Sequence, residues 1–130
     1  MYDPKSSVPR RAALARKMGA QPGDGQIFHG RGYVQLTWRA NYAKMGKGFR
    51  VDLTTDATAA DKVLQPELAA KIMFKGMEEG MFTGKKFADY FSPDDEDWKN
   101  ARRIINGNDC DEAIAVYAKK FYAAISHTTH

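Results

Sequence analysis

The sequence predicts a mainly α-helical fold with a loop-rich cleft and at most one minor β element. Two observations lead to this class. In most of the chain, apolar residues recur every three or four positions, in segments that begin at Ser, Thr, Asp or Pro and end at Gly, as helices do. Only residues 33–36 have partial β character, and no repeat of fixed period occurs. Packed helices around an irregular cleft follow.

Length and composition predict one globular domain over residues 1–130. The chain is 43% hydrophobic and 12% aromatic, which are ordinary values for a folded protein. Its single cysteine, Cys110, excludes an internal disulfide and is at home in a reducing compartment. No apolar run resembles a secretory signal or a membrane span. We therefore expect cytoplasmic synthesis without a signal peptide, and no membrane span.

Charge is distributed unevenly along the chain. The net charge is +4, yet residues 1–50 hold ten Lys or Arg and two Asp or Glu, while residues 51–130 hold ten and fourteen. The basic half suits an anionic polymer, either a nucleic acid or the anionic envelope of a bacterial cell. Because no recognised nucleic-acid motif is present, we predict no nucleic-acid partner.

The first two helices are predicted from their end signals. Ser7 is the predicted N-cap of a short basic helix that stops at Gly19, and QPGDG at 21–25 is a turn cluster. Residues 26–36 are predicted to be an extended strand or loop. Thr37 is predicted to cap the next helix, which Gly46 or Gly48 would close.

The next segments combine local turns with the clearest helix of the chain. Asp52, Thr55 and Asp56 are predicted cap or turn formers. A helix is predicted from Pro66 to Gly80, where Gly76 and Gly80 would let another backbone approach closely. Its apolar stripe consists of Ala69, Ile72, Met73, Gly76 and Met77.

The last third of the chain is predicted to contain a turn and two helices. Three aromatic residues in the turn, Phe87, Tyr90 and Phe91, are core candidates. The four acids at 94–97 are interpreted as the start of a helix that ends at Gly107 and not as a metal site. A final helix is predicted to begin near Asp109 or Asp111, before a solvated tail with His127 and His130. Its predicted apolar face consists of Ile114, Tyr117, Ala118, Phe121 and Ile125.

Residues 28–42, FHGRGYVQLTWRANY, are the densest in recognition chemistry. Gly30 and Gly32 permit close backbone approach on both sides of Arg31. A sugar-binding site needs fixed amide and hydroxyl groups beside an aromatic platform, and this stretch supplies both kinds of group. The candidate groups are Gln35, Thr37, Trp38, Asn41 and Tyr42.

These residues predict one wall of a carbohydrate-binding cleft. Gln35 and Thr37 would point the same way on an extended strand, and Asn41 would share a face of the following helix with Thr37. An alternative stays open, in which Gln35 and Asn41 satisfy loop backbone while Trp38 and Tyr42 are core. A second alternative, stacking of nucleobases on the aromatic residues, is also open.

The stretch GRGYVQLTWRANY resembles the signature of the family 19 glycoside hydrolases, the chitinases and phage endolysins of the lysozyme-like superfamily. VDL at 51–53, QPELAA at 65–70 and RIINGN at 103–108 extend the resemblance, in the family's order, over residues 22–125. The resemblance implies a lysozyme-like helical fold and inverting hydrolysis of β-1,4-linked N-acetylhexosamines in peptidoglycan or chitin. We predict a glycan partner, no cofactor and no metal.

The resemblance also implies roles for individual residues. Gln35 and Asn41 would contact the sugar, Thr37 would help to hold the attacking water, and Asn106 would line the opposite wall. Trp38 and Tyr42 are predicted to bind substrate as well. Gly30, Arg31 and Gly32 would brace the loop, and His29 stands where many members carry tyrosine.

The carboxylates that the reaction needs are not found in the expected place. An inverting glycosidase uses an acid and a base roughly 6.5–9.5 Å apart, and the family takes both glutamates from segments before the GRG motif. Here the only acids before Gly30 are Asp3 and Asp24, and Asp24 is interpreted as a turn former. Substitutes are Asp109 and Asp111, beside the ING turn. Glu67, Glu78 and Glu79 are interpreted as surface charges.

Three hypotheses follow from the missing acid and base. The chain is the C-terminal portion of a family 19-type cell-wall hydrolase that keeps the substrate-binding wall; or it is a non-catalytic peptidoglycan- or chitin-binding module derived from such an enzyme; or it is an intact hydrolase with substitute acids. In each case it would act at the bacterial cell wall once released. A face left by missing N-terminal helices would favour self-association.

Overall fold

The computed structural model describes residues 2–126, and this part of the chain is mainly helical with one small antiparallel sheet, as predicted. The chain divides into two compact units between Met73 and Phe74. The single-domain prediction stays a prediction. The α-helices are α1 (Pro9–Lys17), α2 (Asp24–Ile27), α3 (Arg39–Phe49), α4 (Ala57–Asp61), α5 (Pro66–Glu79) and α6 (Asp111–Ser126); 3-10 helices span Lys62–Leu64, Phe87–Asp89 and Asn100–Ile104.

The N-cap of helix α1 lies one residue later than predicted. Val8, not Ser7, is the N-cap, and no side chain caps the helix. The prediction of Ser7 is wrong because Pro9 takes the first helical position, where no N–H needs a partner. The predicted stop is confirmed: α1 ends at Lys17, and Gly19 follows in the left-handed region with φ +69°.

Helix α3 differs from its prediction at both ends. Trp38 is the N-cap, because the Thr37 hydroxyl donates instead to the Gln35 carbonyl at 2.7 Å. The helix passes through Gly46 and ends at Phe49, so the predicted glycine stop is wrong. A Cβ at Gly46 would lie 2.7 Å from the Val51 carbonyl oxygen. This glycine therefore permits close packing within the helix and does not end it.

The first unit has a filled apolar core. Tyr42, Met45, Leu53, Val63 and Ile72 are its largest buried side chains, each at most 1% exposed. Local caps hold the loops around it, as predicted for two aspartates. Asp56 accepts a hydrogen bond from the Ala59 N–H at 2.7 Å and caps α4, and Asp52 accepts from the N–H groups of Thr54 and Thr55.

Helix α5 has the predicted bounds. Pro66 opens it, and Gly80, with φ +68°, follows its last residue. The role predicted for Gly76 is wrong, because it packs against a side chain and not a backbone. A Cβ there would overlap the ring of Phe82 in the following turn. Gly80 does approach backbone, since a Cβ there would lie 3.2 Å from the Gly84 carbonyl group.

The prediction of a helix that begins at the four acids, residues 94–97, is wrong. Strands β1 (Phe91–Ser92) and β2 (Asp95–Glu96) form a two-residue antiparallel pair in this position. Pro93 follows β1 directly, and the Ser92 hydroxyl accepts from the Asp94 N–H at 3.3 Å, which closes a turn. Asp97 then accepts from the Asn100 N–H at 3.0 Å, at the start of the short 3-10 helix.

Helix α6 begins at Asp111, as predicted, but its predicted apolar face is exposed. Tyr117 is 59% and Phe121 73% accessible to solvent, whereas Ala115 on another face is buried. The rings of Trp98 and Tyr122 meet at 5.4 Å. His127 and His130 lie outside the described residues. Over residues 2–126, no helix combines the length and the apolar character that crossing a bilayer requires.

Candidate functional site

A cavity of about 330 Å³ in the first unit contains much of the predicted recognition motif. Three segments build it: Tyr2 near the start of the sequence, helix α2 with the turn that follows it, and the turn that leads into α3. Its lining residues are Tyr2, Asp24, Gly25, Phe28, His29, Gly30, Gln35, Thr37, Trp38 and Arg39.

The cavity wall at residues 35–38 has unusual backbone conformations. Gln35 has φ +51° and Trp38 φ +79°, in the region that side chains other than glycine rarely adopt. Such residues cost on the order of 1–3 kcal/mol each and concentrate at functional sites. The buried Leu36 lies between them and pairs with Arg31 in an isolated β-bridge. The two residues with positive φ therefore flank a residue that burial and the β-bridge hold in place.

Gln35 and Thr37 meet at the cavity, but not for the predicted reason. The segment is a turn and not an extended strand, because Gln35 is left-handed and its N–H reaches the Gly32 carbonyl at 3.3 Å. Gly30 lies close to both side chains. A Cβ on Gly30 would lie 2.8 Å from Gln35 Oε1 and 3.3 Å from Thr37 Oγ1. A larger residue here would have to displace the end of the Gln35 side chain.

Trp38 forms an aromatic corner with a residue that the motif does not include. The ring of Tyr2 lies 5.2 Å from the ring of Trp38, with 41° between their planes. Both rings line the cavity. Since Tyr2 is 43% exposed, this corner is open to solvent and can contact the apolar face of a ligand.

Arg31 has the contacts of a structural brace. It is only 5% exposed, and its guanidinium donates to the Asp61 carboxylate at 2.8 Å, the Tyr42 hydroxyl at 3.1 Å and the Ile27 carbonyl. These bonds join the turn after α2 to α3 and α4. Gly32 packs beside them, where a Cβ would lie 3.1 Å from the Val63 side chain.

Tyr42 belongs to the core, and its predicted contact with substrate does not fit the structure. Its side chain is fully buried. The hydroxyl donates to the His29 carbonyl at 2.8 Å and accepts from Arg31. Burial raises the pKa of Tyr42, although the hydrogen bond from Arg31 opposes this. A ring without exposed surface offers no face to a sugar.

Asn41 satisfies loop backbone, as the alternative interpretation had it. Its Nδ2 donates to the Thr37 carbonyl at 2.7 Å, and the residue is not part of the cavity lining. Its effect on the cavity is therefore indirect, through the position of Thr37.

Asn106 belongs to the second unit. It is exposed there, its Oδ1 accepts from the Gly107 N–H at 3.1 Å, and its own N–H donates to the Arg102 carbonyl. Its predicted role in a second cleft wall stays a prediction.

Asp24 is the cavity residue whose environment the sequence did not indicate. Its carboxylate is buried and accepts hydrogen bonds from Nε and Nη2 of Arg39 and from the Gln21 N–H. Burial alone would raise its pKa, but the bonds from Arg39 and Gln21 hold the pKa of Asp24 below the ordinary value of 3.8. Fifteen residues separate the two partners, and no short-range pattern indicates the pair.

This environment decides what the cavity can do with a proton. A general acid needs a pKa near the working pH, which requires a carboxyl pKa that is raised and not lowered. Asp24 is ionised at neutral pH and tied to Arg39, whose guanidinium also lies 4.6 Å from the Phe28 ring centre. It is the only carboxylate among the residues that line the cavity.

The other candidate acids, in α5 and around the start of α6, are surface charges or have local partners. Glu67 pairs with Lys71 at 2.6 Å and Glu79 with Lys75 at 3.1 Å, as surface charges on α5. Their interpretation as surface charges is confirmed, and Glu78 is exposed as well. Asp111 accepts from the Glu112 N–H in the first turn of α6, and Asp109 is exposed.

His29 completes the rim of the cavity. Its Nδ1 lies 2.8 Å from the Gln26 carbonyl oxygen, so the hydrogen on this nitrogen is donated to that carbonyl. Within residues 2–126, no three His, Cys, Asp or Glu side chains cluster as a metal site requires.

Comparisons with models of known protein families, with curated proteins and with solved structures give no match to this chain. The resemblance to family 19 glycoside hydrolases therefore stays a prediction from the motif residues.

Proposed function

We propose that this chain binds β-1,4-linked N-acetylhexosamine glycan, in peptidoglycan or chitin, through the cavity of the first unit. In this proposal it is a lysozyme-like protein of the family 19 type that acts at the bacterial cell wall. One observation carries it: Gln35, Thr37 and Trp38 line one cavity, on a backbone held in two costly conformations. Such strain is typical of functional sites.

The cavity offers the chemistry that an N-acetylated pyranose needs. The indole of Trp38 can pack against the apolar C–H face of a sugar ring. The amide of Gln35 makes only a long 3.4 Å bond to the Gly32 carbonyl, which leaves it available to a ligand. Thr37 donates to the Gln35 carbonyl, and its oxygen can still accept a hydrogen bond from a sugar hydroxyl.

Binding fits the cavity better than hydrolysis. Inversion requires a protonated acid and a separate carboxylate base. The one lining carboxylate, Asp24, has a lowered pKa and is held by Arg39. The motif's resemblance to hydrolases favours the second candidate, cleavage of the same glycan, and a direct assay distinguishes the two.

The binding test uses a β-1,4-linked N-acetylglucosamine tetramer and soluble peptidoglycan fragments in a calorimetric titration. We expect Gln35→Gly to weaken binding about tenfold, because it removes the amide while glycine accepts the left-handed backbone. The matched control is Arg50→Gly, since Arg50 is also left-handed, with φ +54°, and lies outside the cavity lining. Equal affinity of Gln35→Gly and the unmodified chain would contradict the proposal.

The hydrolysis test measures release of new reducing ends from the same tetramer and loss of turbidity of purified peptidoglycan. We expect binding without turnover from the 130-residue chain. Steady turnover that Asp24→Asn abolishes would instead assign cleavage to this cavity.

A further inference from the structure

We propose that residues 2–5, here called the N-terminal strap, form a wall of the glycan site, with Tyr2 as a second sugar-contacting aromatic residue and Asp3 as its positioning residue. The inference deepens the proposed function and rests on it. Neither residue lies in the stretch that resembles the hydrolase signature.

Asp3 fastens the strap to the turn before α2. Its carboxylate accepts hydrogen bonds from the Gly23 N–H and from the Lys5 N–H, both at 2.8 Å. The hydrogen bond from the Lys5 N–H is the largest cause that lowers the pKa of Asp3; burial opposes it, and the bond from the Gly23 N–H adds to the lowering. The carboxylate is therefore ionised at neutral pH. Its Oδ2 holds the strap to Gly23, twenty positions further along the chain, and its Oδ1 accepts from Lys5 within the strap.

Gly25 lets the strap lie directly on α2. A Cβ at position 25 would be 2.9 Å from the Tyr2 carbonyl oxygen and 3.0 Å from the Asp3 Cβ. These distances are shorter than ordinary carbon contacts, so a larger residue would displace the strap. Helix α1 adds a third attachment, because Arg16 Nη1 donates to the Pro4 carbonyl at 3.1 Å.

These attachments determine where the Tyr2 ring lies. The ring meets Trp38 at 5.2 Å and lines the same cavity as Gln35 and Thr37. Two rings inclined at 41° offer a pyranose ring two apolar surfaces, where the indole alone offers one. The phenol hydroxyl adds a donor and an acceptor for sugar hydroxyl or acetamide groups. The ligand class is thus an N-acetylated pyranoside held between aromatic and amide groups.

The test compares four variants in the calorimetric titration with the N-acetylglucosamine tetramer. We expect Tyr2→Ala to weaken binding about tenfold, through loss of one aromatic face. Tyr2→Phe should keep most of the affinity, because the apolar corner remains. Asp3→Ala should weaken binding and Asp3→Asn should recover part of it, because asparagine keeps one acceptor oxygen. The control is Tyr33→Ala, an exposed tyrosine outside the cavity lining.

Fluorescence gives a readout that would not change if the role of Tyr2 were merely structural. The chain has two tryptophans, so in a Trp98→Phe background Trp38 is the only reporter. We expect the tetramer to shift Trp38 emission, and Tyr2→Ala to change that response while thermal unfolding stays within about 2 °C, since exposed substitutions have small effects on stability.

The outcomes separate the two proposals. If Tyr2→Ala binds like the unmodified chain while Gln35→Gly loses affinity, the role of the strap is overturned and the proposed function stands. If the unmodified chain does not bind the tetramer or the peptidoglycan fragments, both are overturned. A loss of affinity in Tyr33→Ala equal to that in Tyr2→Ala would also overturn the role of the strap.

Discussion

The two units of this chain bury their apolar residues to very different degrees. In the first unit, Tyr42, Leu53 and Ile72 are almost inaccessible to solvent, with several alanines packed between the helices. In the second unit, Ile104 and Ala115 are the buried apolar residues among those described, and α6 leaves Phe121 and Tyr117 mostly exposed.

The difference explains why the strained turn belongs to the first unit. Gln35 and Trp38 stay in costly conformations only if surrounding contacts over-determine them. Leu36 is buried between them, and Arg31 joins the turn to Asp61 and Tyr42. In the proposed function, this rigid base would hold the binding wall in shape before the glycan arrives, which would reduce the entropy cost of binding.

The second unit has the features of a less stable region. Few buried apolar contacts and short 3-10 segments predict easier local opening. Its exposed aromatic residues also favour association in water. The self-association predicted from the sequence stays a prediction.

The largest expected effect compares a buried residue of the first unit with an exposed residue of the second. Leu53→Ala should lower the free energy of unfolding by about 3 kcal/mol, because it leaves a cavity in a filled core. Phe121→Ala, at a position 73% exposed, should change it by less than about 0.5 kcal/mol. Urea unfolding followed by circular dichroism measures both values. Similar losses in the two variants would contradict the contrast between the units.

A smaller effect is expected where the strain itself is relieved. Gln35→Gly and Arg50→Gly should each raise the free energy of unfolding by up to about 1 kcal/mol, because glycine adopts the left-handed region without a Cβ penalty. Only the first should alter glycan binding. Thermal unfolding of both variants tests this, and destabilisation by Gln35→Gly would show that its side chain supports the fold.

The smallest expected effect concerns pH. The folded pKa of Asp24 lies below its ordinary value of 3.8, so its contribution to stability is complete above that value and is lost as the pH falls through the folded pKa. The difference in the free energy of unfolding between the unmodified chain and Asp24→Asn should therefore shrink by about 0.5 kcal/mol below pH 3.8. The amount is small because Arg39 is partly exposed and water screens the pair.

Melting temperatures across this acid range test the prediction, with Glu78→Gln as the control at an exposed carboxylate. A gap between the unmodified chain and Asp24→Asn that stays constant through the range would show that the Asp24–Arg39 pair does not couple to protonation.

Local signals in the sequence predicted part of the local structure. Pro66 and Gly80 bound α5, Asp111 begins α6, and Asp52 and Asp56 form the expected turns and cap. Each of these features depends on hydrogen bonds between residues a few positions apart, so residue type and spacing are sufficient. The residue types at 30–38 also identified this stretch as a candidate binding site.

Tertiary structure alone decided how those groups are used. The pair of Asp24 with Arg39 spans fifteen residues, that of Arg31 with Asp61 spans thirty, and Tyr2 reaches Trp38 across thirty-six. No periodicity encodes such contacts. Tertiary packing also buries Tyr42 in the core, although it was predicted to line the site, and it holds Gln35 and Trp38 at positive φ. The sequence thus determined which recognition chemistry is present, and packing over long separations determined which of it faces the cavity.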